Sequence, residues 1–280
     1  MFVIPIDPAW ATACAFIFAL CVGSFLNVVI HRLPIMMERE WAAMSNPEQV
    51  QENYNLAQPA STCPNCQHKI RWYENIPVLS YAWLRGKCSS CGVGISLRYP
   101  FVELLTGCSV AFVIHTFGAN SVGLAMAVLT FALICLIFID IDHQLLPDSI
   151  TLPLLWLGLI ANSFQLFTTL ESAVYGAIAG YLSLWSVYWA FKLLTGKEGM
   201  GYGDFKLLAA LGAWAGWSQL PLIILLSSLV GAIIGITLIM LKKNEQQTPI
   251  PFGPYLAIAG WITLIWGDQI THHYLQFAGL

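Results

Sequence analysis

Charged side chains are scarce in this chain: Asp, Glu, Lys and Arg together make up 10% of its 280 residues, against 58% hydrophobic. A soluble domain carries about 25% charged residues, so a soluble globular fold is excluded. No Lys or Arg precedes the first apolar run; the first, Arg32, follows it. That run therefore lacks the basic start of a cleavable secretory signal and is expected to remain as an anchor. Also missing are an internal repeat, a low-complexity tract and a Gly-x-Gly-x-x-Gly turn opening a βαβ unit, which excludes the usual nucleotide-cofactor fold. The net charge of −3 says nothing about partners. No nucleic-acid partner is expected, and oligomeric state is not legible.

What is present is apolar length. Mean hydropathy is +0.69, and a bilayer needs about 20 apolar residues per helix. Eight runs qualify, at 9–30, 101–117, 122–141, 150–167, 173–194, 205–217, 220–241 and 254–275, the sixth being short. The expected fold is an all-α polytopic membrane protein of about eight transmembrane helices, with a cytoplasmic zinc-binding loop after the first. With eight spans all twelve basic residues fall at one face, which the positive-inside rule makes cytoplasmic. Both termini are then periplasmic. The expected organisation is a first transmembrane helix at 1–31, a cytoplasmic loop at 32–98 whose first half is loosely ordered, and a helical bundle at 99–280.

Four of the eight cysteines, Cys14, Cys21, Cys108 and Cys135, lie in apolar runs and read as small buried residues. The other four form two Cys-x-x-C knuckles, Cys63 with Cys66 and Cys88 with Cys91. Such a pair can set four thiolates around one zinc. A reducing cytoplasmic loop argues against disulfides. Four thiolates fill the coordination sphere, so the zinc is expected to be structural. His68 reads as a surface residue beside the knuckle.

Acids inside or beside apolar runs are functional candidates, because an ionisable group in a bilayer is costly. Asp140 completes the run "LTFALICLIFI"; Asp142 lies two residues on, about 200° around a helix, so the two cannot face one partner. Asp142 with His143 reads equally as a solvated loop pair. Asp148, after Pro147, suits the first turn of the next helix. Asp204 ends "GYGD", where Gly201 and Gly203 permit an unusual backbone or a close approach. Two carboxylates in a confined site cannot both ionise easily, so one keeps a proton. Such a pair cleaves a peptide bond without a covalent intermediate, and Asp140 with Asp204 is the expected pair. Tyr202 and Lys206 read either as supporting residues or, for the lysine, as an orientation charge.

Together "GSFLNVVIHRLP" (23–34), the two knuckles, "RYPFVELLTG" (98–107), "FIDIDHQLLPD" (138–148), "GKEGMGYGDFKLLAALGAW" (196–214) and "PFGPYLAIAG" (251–260) resemble the signatures of the type IV prepilin peptidases, in the family's order and over nearly the whole chain. The Gly-x-Gly-Asp element alone is shared with other intramembrane aspartyl proteases. The resemblance implies catalytic roles for Asp140 and Asp204 and a metal tetrad of Cys63, Cys66, Cys88 and Cys91. It implies cleavage of the basic leader of prepilins and pseudopilins at the cytoplasmic face of the bacterial inner membrane, then N-methylation of the new terminus from S-adenosylmethionine. The methyltransferase region is sought around Gly86, Lys87 and Glu103. Substrate helices are expected to pack on Gly176, Gly180, Gly231 and Gly235. Competing readings are an aspartyl protease of another substrate class, an ion-coupled transporter, and a zinc-bearing membrane adaptor.

Overall fold

The computed structural model describes residues 7–45, 53–197, 199–241 and 251–278, and nearly all of its ordered elements are helices. They are α1 (Pro8–Ser45), α2 (Leu79–Trp83), α3 (Arg98–Phe117), α4 (Ser121–His143), α5 (Asp148–Ser163), α6 (Leu170–Thr195), α7 (Tyr202–Ala215), α8 (Leu220–Leu241) and α9 (Gly253–Ala278). Among the described residues, eight long helices overlap the eight apolar runs. Five of them, α1, α3, α4, α6 and α8, are long and apolar enough on their own to cross a membrane. This is a multi-pass membrane protein. Lys242, Lys243 and residues 46–52 of the turn-forming stretch lie outside the described residues.

The apolar run of α1 ends near residue 30, but the helix does not: it continues through Pro34 to Ser45. The first part of the expected loop is therefore helix, because "MMEREWAA" is rich in strong helix formers. The chain forms two compact units, 1–135 and 136–280, divided within α4.

In the first unit α1 and α3 run antiparallel at close range. A Cβ on Gly23 would lie 2.9 Å from the Glu103 Cα, and one on Gly107 2.9 Å from Leu20. Polar residues of the "GSFLNVVIHRLP" stretch fasten what surrounds them. Asn27 donates to the Tyr99 carbonyl at 3.1 Å. Arg32 is buried, and its guanidinium donates to the carbonyls of Asn55, Leu56 and Pro59. Arg32 is thus more than a charge flanking the first apolar run: it ties down the chain that leads to the knuckles.

The second unit is built around α7. At 14 residues this helix is about 21 Å long, short for a bilayer, but every residue from Asp204 to Ala215 except Lys206 is buried. A helix apolar all round belongs in a core, here among α5, α6 and α9. Gly176 of α6 and Gly212 of α7 interlock, each leaving no room for a Cβ against the other's carbonyl oxygen. Gly180 lies against the Leu208 carbonyl and Gly231 against Tyr255. Gly176 and Gly180 therefore pack the protein's own helices, which corrects their expected use as a substrate surface; small residues were read as open when they mark the tightest internal crossing. At the far end of α7 the buried Asn162 amide donates to the carbonyls of Ala213 and Trp214, and its oxygen accepts from Phe167 and Thr168. The Asn162 side chain thus spends its full hydrogen-bonding capacity tying the end of α7 to the loop between α5 and α6.

Candidate functional site

Two carboxylates are buried in the second unit. Asp140 sits in the last turn of α4, 5% exposed, and Asp204 in the first turn of α7, 7% exposed. They are close enough to interact electrostatically. Asp142, two residues beyond Asp140, is exposed, as the helix rotation requires. Asp148 stands in the first turn of α5, where its two oxygens receive the Lys206 ammonium at 2.7 Å. Lys206 is thus directed to Asp148. Tyr202 is half-exposed and packs its ring on Tyr188 and Phe205.

The backbone around the pair explains its glycines. Gly201 precedes α7 with an ordinary φ of −80°, and its backbone hydrogen-bonds the Asp204 carboxylate. Gly203 is required by proximity, since a Cβ there would lie 2.7 Å from the Leu146 Cβ. A third glycine escaped sequence reading. Gly253, the first residue of α9, donates its N–H to Asp140 Oδ2 at 3.0 Å, and a Cβ on it would lie 2.7 Å from that same oxygen. An N–H in the first turn has no intrahelical acceptor, and the positive end of α9 favours a carboxylate there. Leu146, from the loop between α4 and α5, touches the positions of both Gly203 and Gly253, so it packs against the first turn of α7, which carries Asp204, and the first turn of α9, which holds Asp140 by a hydrogen bond.

The cysteines gather in the first unit. The four sulfurs of Cys63, Cys66, Cys88 and Cys91 lie within 4.8 Å of one another, with Cys63 to Cys91 at 3.8 Å and Cys66 to Cys88 at 3.9 Å. Tetrahedral thiolates at about 2.3 Å from zinc stand about 3.8 Å apart, so the donor set fits that ion. Each knuckle is a tight hairpin closed by one β-bridge, Thr62 with Lys69 and Lys87 with Gly94. The two halves match bond for bond: Cys63 N–H to His68 and Gln67 N–H to Cys63 in one, Cys88 N–H to Val93 and Gly92 N–H to Cys88 in the other. This is a short internal repeat that composition does not reveal. The Val93 N–H and the Asn65 amide push the Cys91 thiol down to about 6. At Cys66 the His68 N–H is outweighed by burial and the neighbouring thiols, and the group goes up to about 11. His68 lies outside the cluster, with Nε2 3.3 Å from Glu74 Oε2.

Gly86, Lys87 and Glu103 also belong to the first unit. Gly86 adopts φ +66°, and a Cβ there would meet the Tyr81 hydroxyl at 2.7 Å. Lys87 is exposed. Glu103 is buried, accepts the Val78 N–H at 2.8 Å and pairs with the Ser24 side chain. Gly86 and Glu103 thus hold the fold of the knuckle segment.

Family comparison divides the chain in the same manner. Residues 17–117 match the bacterial peptidase A24 N-terminal domain, and residues 127–236 match the type IV leader peptidase family. The chain is 59% identical to a prepilin leader peptidase/N-methyltransferase of Stutzerimonas stutzeri over 98% of its own length and 97% of the relative's. It is 61% identical to the protein so named in Pseudomonas aeruginosa, covering 95% and 94%, and to that of Aeromonas hydrophila, covering 93% and 92%. No solved structure matches. At this identity and coverage, the chain belongs to the type IV leader peptidase family, in its bifunctional prepilin peptidase and N-methyltransferase branch.

Proposed function

We propose that this protein cleaves the basic leader from prepilins and pseudopilins, with Asp140 and Asp204 as the catalytic pair, and methylates the new N-terminus. The observation that carries the reading is the burial of these two carboxylates together while Asp142 and Asp148 stay exposed. Buried acids without a role are costly, and two that face each other suit one shared proton. In the reaction the ionised carboxylate accepts a proton from water as its oxygen adds to the scissile carbonyl. The protonated partner hydrogen-bonds the carbonyl oxygen. Collapse of the tetrahedral adduct breaks the C–N bond, and a carboxyl proton passes to the departing amine. The Gly253 N–H holds Oδ2 of Asp140 in place throughout. The reaction belongs at the cytoplasmic face of the inner membrane, where a basic leader precedes an apolar helix.

The four thiolates would hold a zinc ion that closes the knuckle segment and leaves no position for substrate water. S-adenosylmethionine, when bound, supplies the methyl group. Lys87, one of the exposed cations of this segment, is the candidate to bind that donor, while Gly86 and Glu103 keep the surrounding backbone in shape.

The deciding experiment is cleavage of a purified prepilin in liposomes without added cofactor. Asp140→Asn and Asp204→Asn are expected to lose at least about 10²-fold in rate, with Asp142→Asn within a few-fold of wild type. Sustained cleavage by Asp204→Asn would refute the assignment.

A further inference from the structure

The knuckle segment carries a surface that neither proposed activity uses. Trp83 is 89% exposed, Trp72 81%, Leu97 72% and Leu79 69%, in a segment otherwise folded around its cysteines. Leu79 and Trp83 are four residues apart and share one face of α2. Large aromatics held this open are unusual unless something apolar covers them.

Depth identifies the cover. The Val78 N–H, one residue before α2, donates to Oε2 of Glu103. Glu103 lies five residues into α3, about 7–8 Å along its axis, and α3 is long and apolar enough to cross a membrane. On the same turns of α3, Tyr99, Phe101 and Leu104 point outward and are 40–57% exposed, as side chains facing lipid do. The start of α2 is thus held level with the exposed apolar side chains of α3. Charge agrees: besides Lys87, residues 53–97 carry Lys69, Arg71 and Arg85, all exposed, against one acid. That acid, Glu74, is engaged by His68 and by the Arg71 N–H. Trp beside Lys and Arg is the composition of a membrane interface. A surface of this sign does not suit a basic leader peptide, which it would repel.

We propose that α2, with Trp72 and Leu97, is an interfacial foot that beds the knuckle segment on the headgroup region of the bilayer, Trp83 and Leu79 entering the lipid. The foot fixes the height of the segment above the membrane independently of either active site.

The test uses the full chain in liposomes of phosphatidylglycerol and phosphatidylethanolamine. Trp83→Phe and Trp72→Phe are compared with wild type, and each difference spectrum isolates the emission of one indole among eleven. The expected Trp83 component is blue-shifted and quenched at least twofold by lipids brominated near the top of the acyl chain, with little quenching by aqueous acrylamide. Emission of a hydrated indole, open to acrylamide and unaffected by bromolipid, would overturn the proposal. So would a blue-shifted component that neither agent quenches, since protein would then cover the residue. Both variants are expected to keep wild-type prepilin cleavage, so a failure here is distinct from a failure of the aspartate assignment.

Discussion

At the scale of the residue, one methyl group separates the observed Asp140 from a displaced one. A Cβ at position 253 would lie 2.7 Å from Asp140 Oδ2, closer than real Cβ contacts come, so Gly253→Ala must push aside either the carboxylate or the first turn of α9. Cleavage by Gly253→Ala is expected to fall at least about tenfold, as a misplacement of the order of 1 Å in a reacting group does, with little change in thermal unfolding. The pH profile is the informative readout. A pair sharing one proton works over a window bounded on the acid side by gain of a second proton and on the alkaline side by loss of the first. Displacing the Asp140 carboxylate from the N–H of residue 253 is expected to change the shape of this profile. An unaltered profile together with a lower melting temperature would reduce Gly253 to a packing residue. Sequence reading separated Asp140 from Asp142 because helix rotation is local. It did not find Gly253, which meets Asp140 across 113 residues, nor the destination of Lys206, which meets Asp148 across 58.

At the scale of the element, the two knuckles compare one residue type with another in one conformation. The residue after the second cysteine takes positive φ in both, +58° at Gln67 and +71° at Gly92. Left-handed backbone costs a non-glycine residue about 1 kcal/mol. Gln67→Gly is therefore expected to stabilise the metal-bound segment by up to about 1 kcal/mol and Gly92→Gln to destabilise it similarly. Protease sensitivity of residues 53–97 in the membrane-embedded protein measures both. One zinc per chain is expected by elemental analysis, none in Cys63→Ser/Cys88→Ser, with faster cleavage of the segment by added protease after chelation. The clustering of the four cysteines was legible because Cys-x-x-C spacing is a sequence property. The Arg32 anchor was not, since its three carbonyl acceptors carry no side-chain signature.

At the scale of the whole molecule, the proposed protease pair and the knuckle segment belong to different compact units, matched by different family descriptions. The two reactions should therefore separate. Asp204→Asn is expected to abolish cleavage, while still methylating a pre-cleaved pilin peptide. Cys63→Ser/Cys88→Ser is expected to cleave and leave the new terminus unmethylated by mass spectrometry. Parallel loss of both reactions in the cysteine variant would show that the units are not independent. The eight apolar runs were readable as helices because bilayer-length segments of this composition have few alternatives. That α7 is a core helix was not, because an enclosed helix and a short transmembrane one look alike until their neighbours are known.

The interlocked glycines of α6 and α7 bear on how a mutational scan of this protein would read. Gly212 lies eight residues beyond Asp204, about 12 Å along the helix, and takes no part in the chemistry proposed here. Yet any side chain at 176 or 212 must force two backbones apart and shift the helix that carries Asp204. In a survey scored only by pilus assembly, these two positions would appear as intolerant as the aspartates themselves. Only a second score for folded protein in the membrane would tell geometry from catalysis.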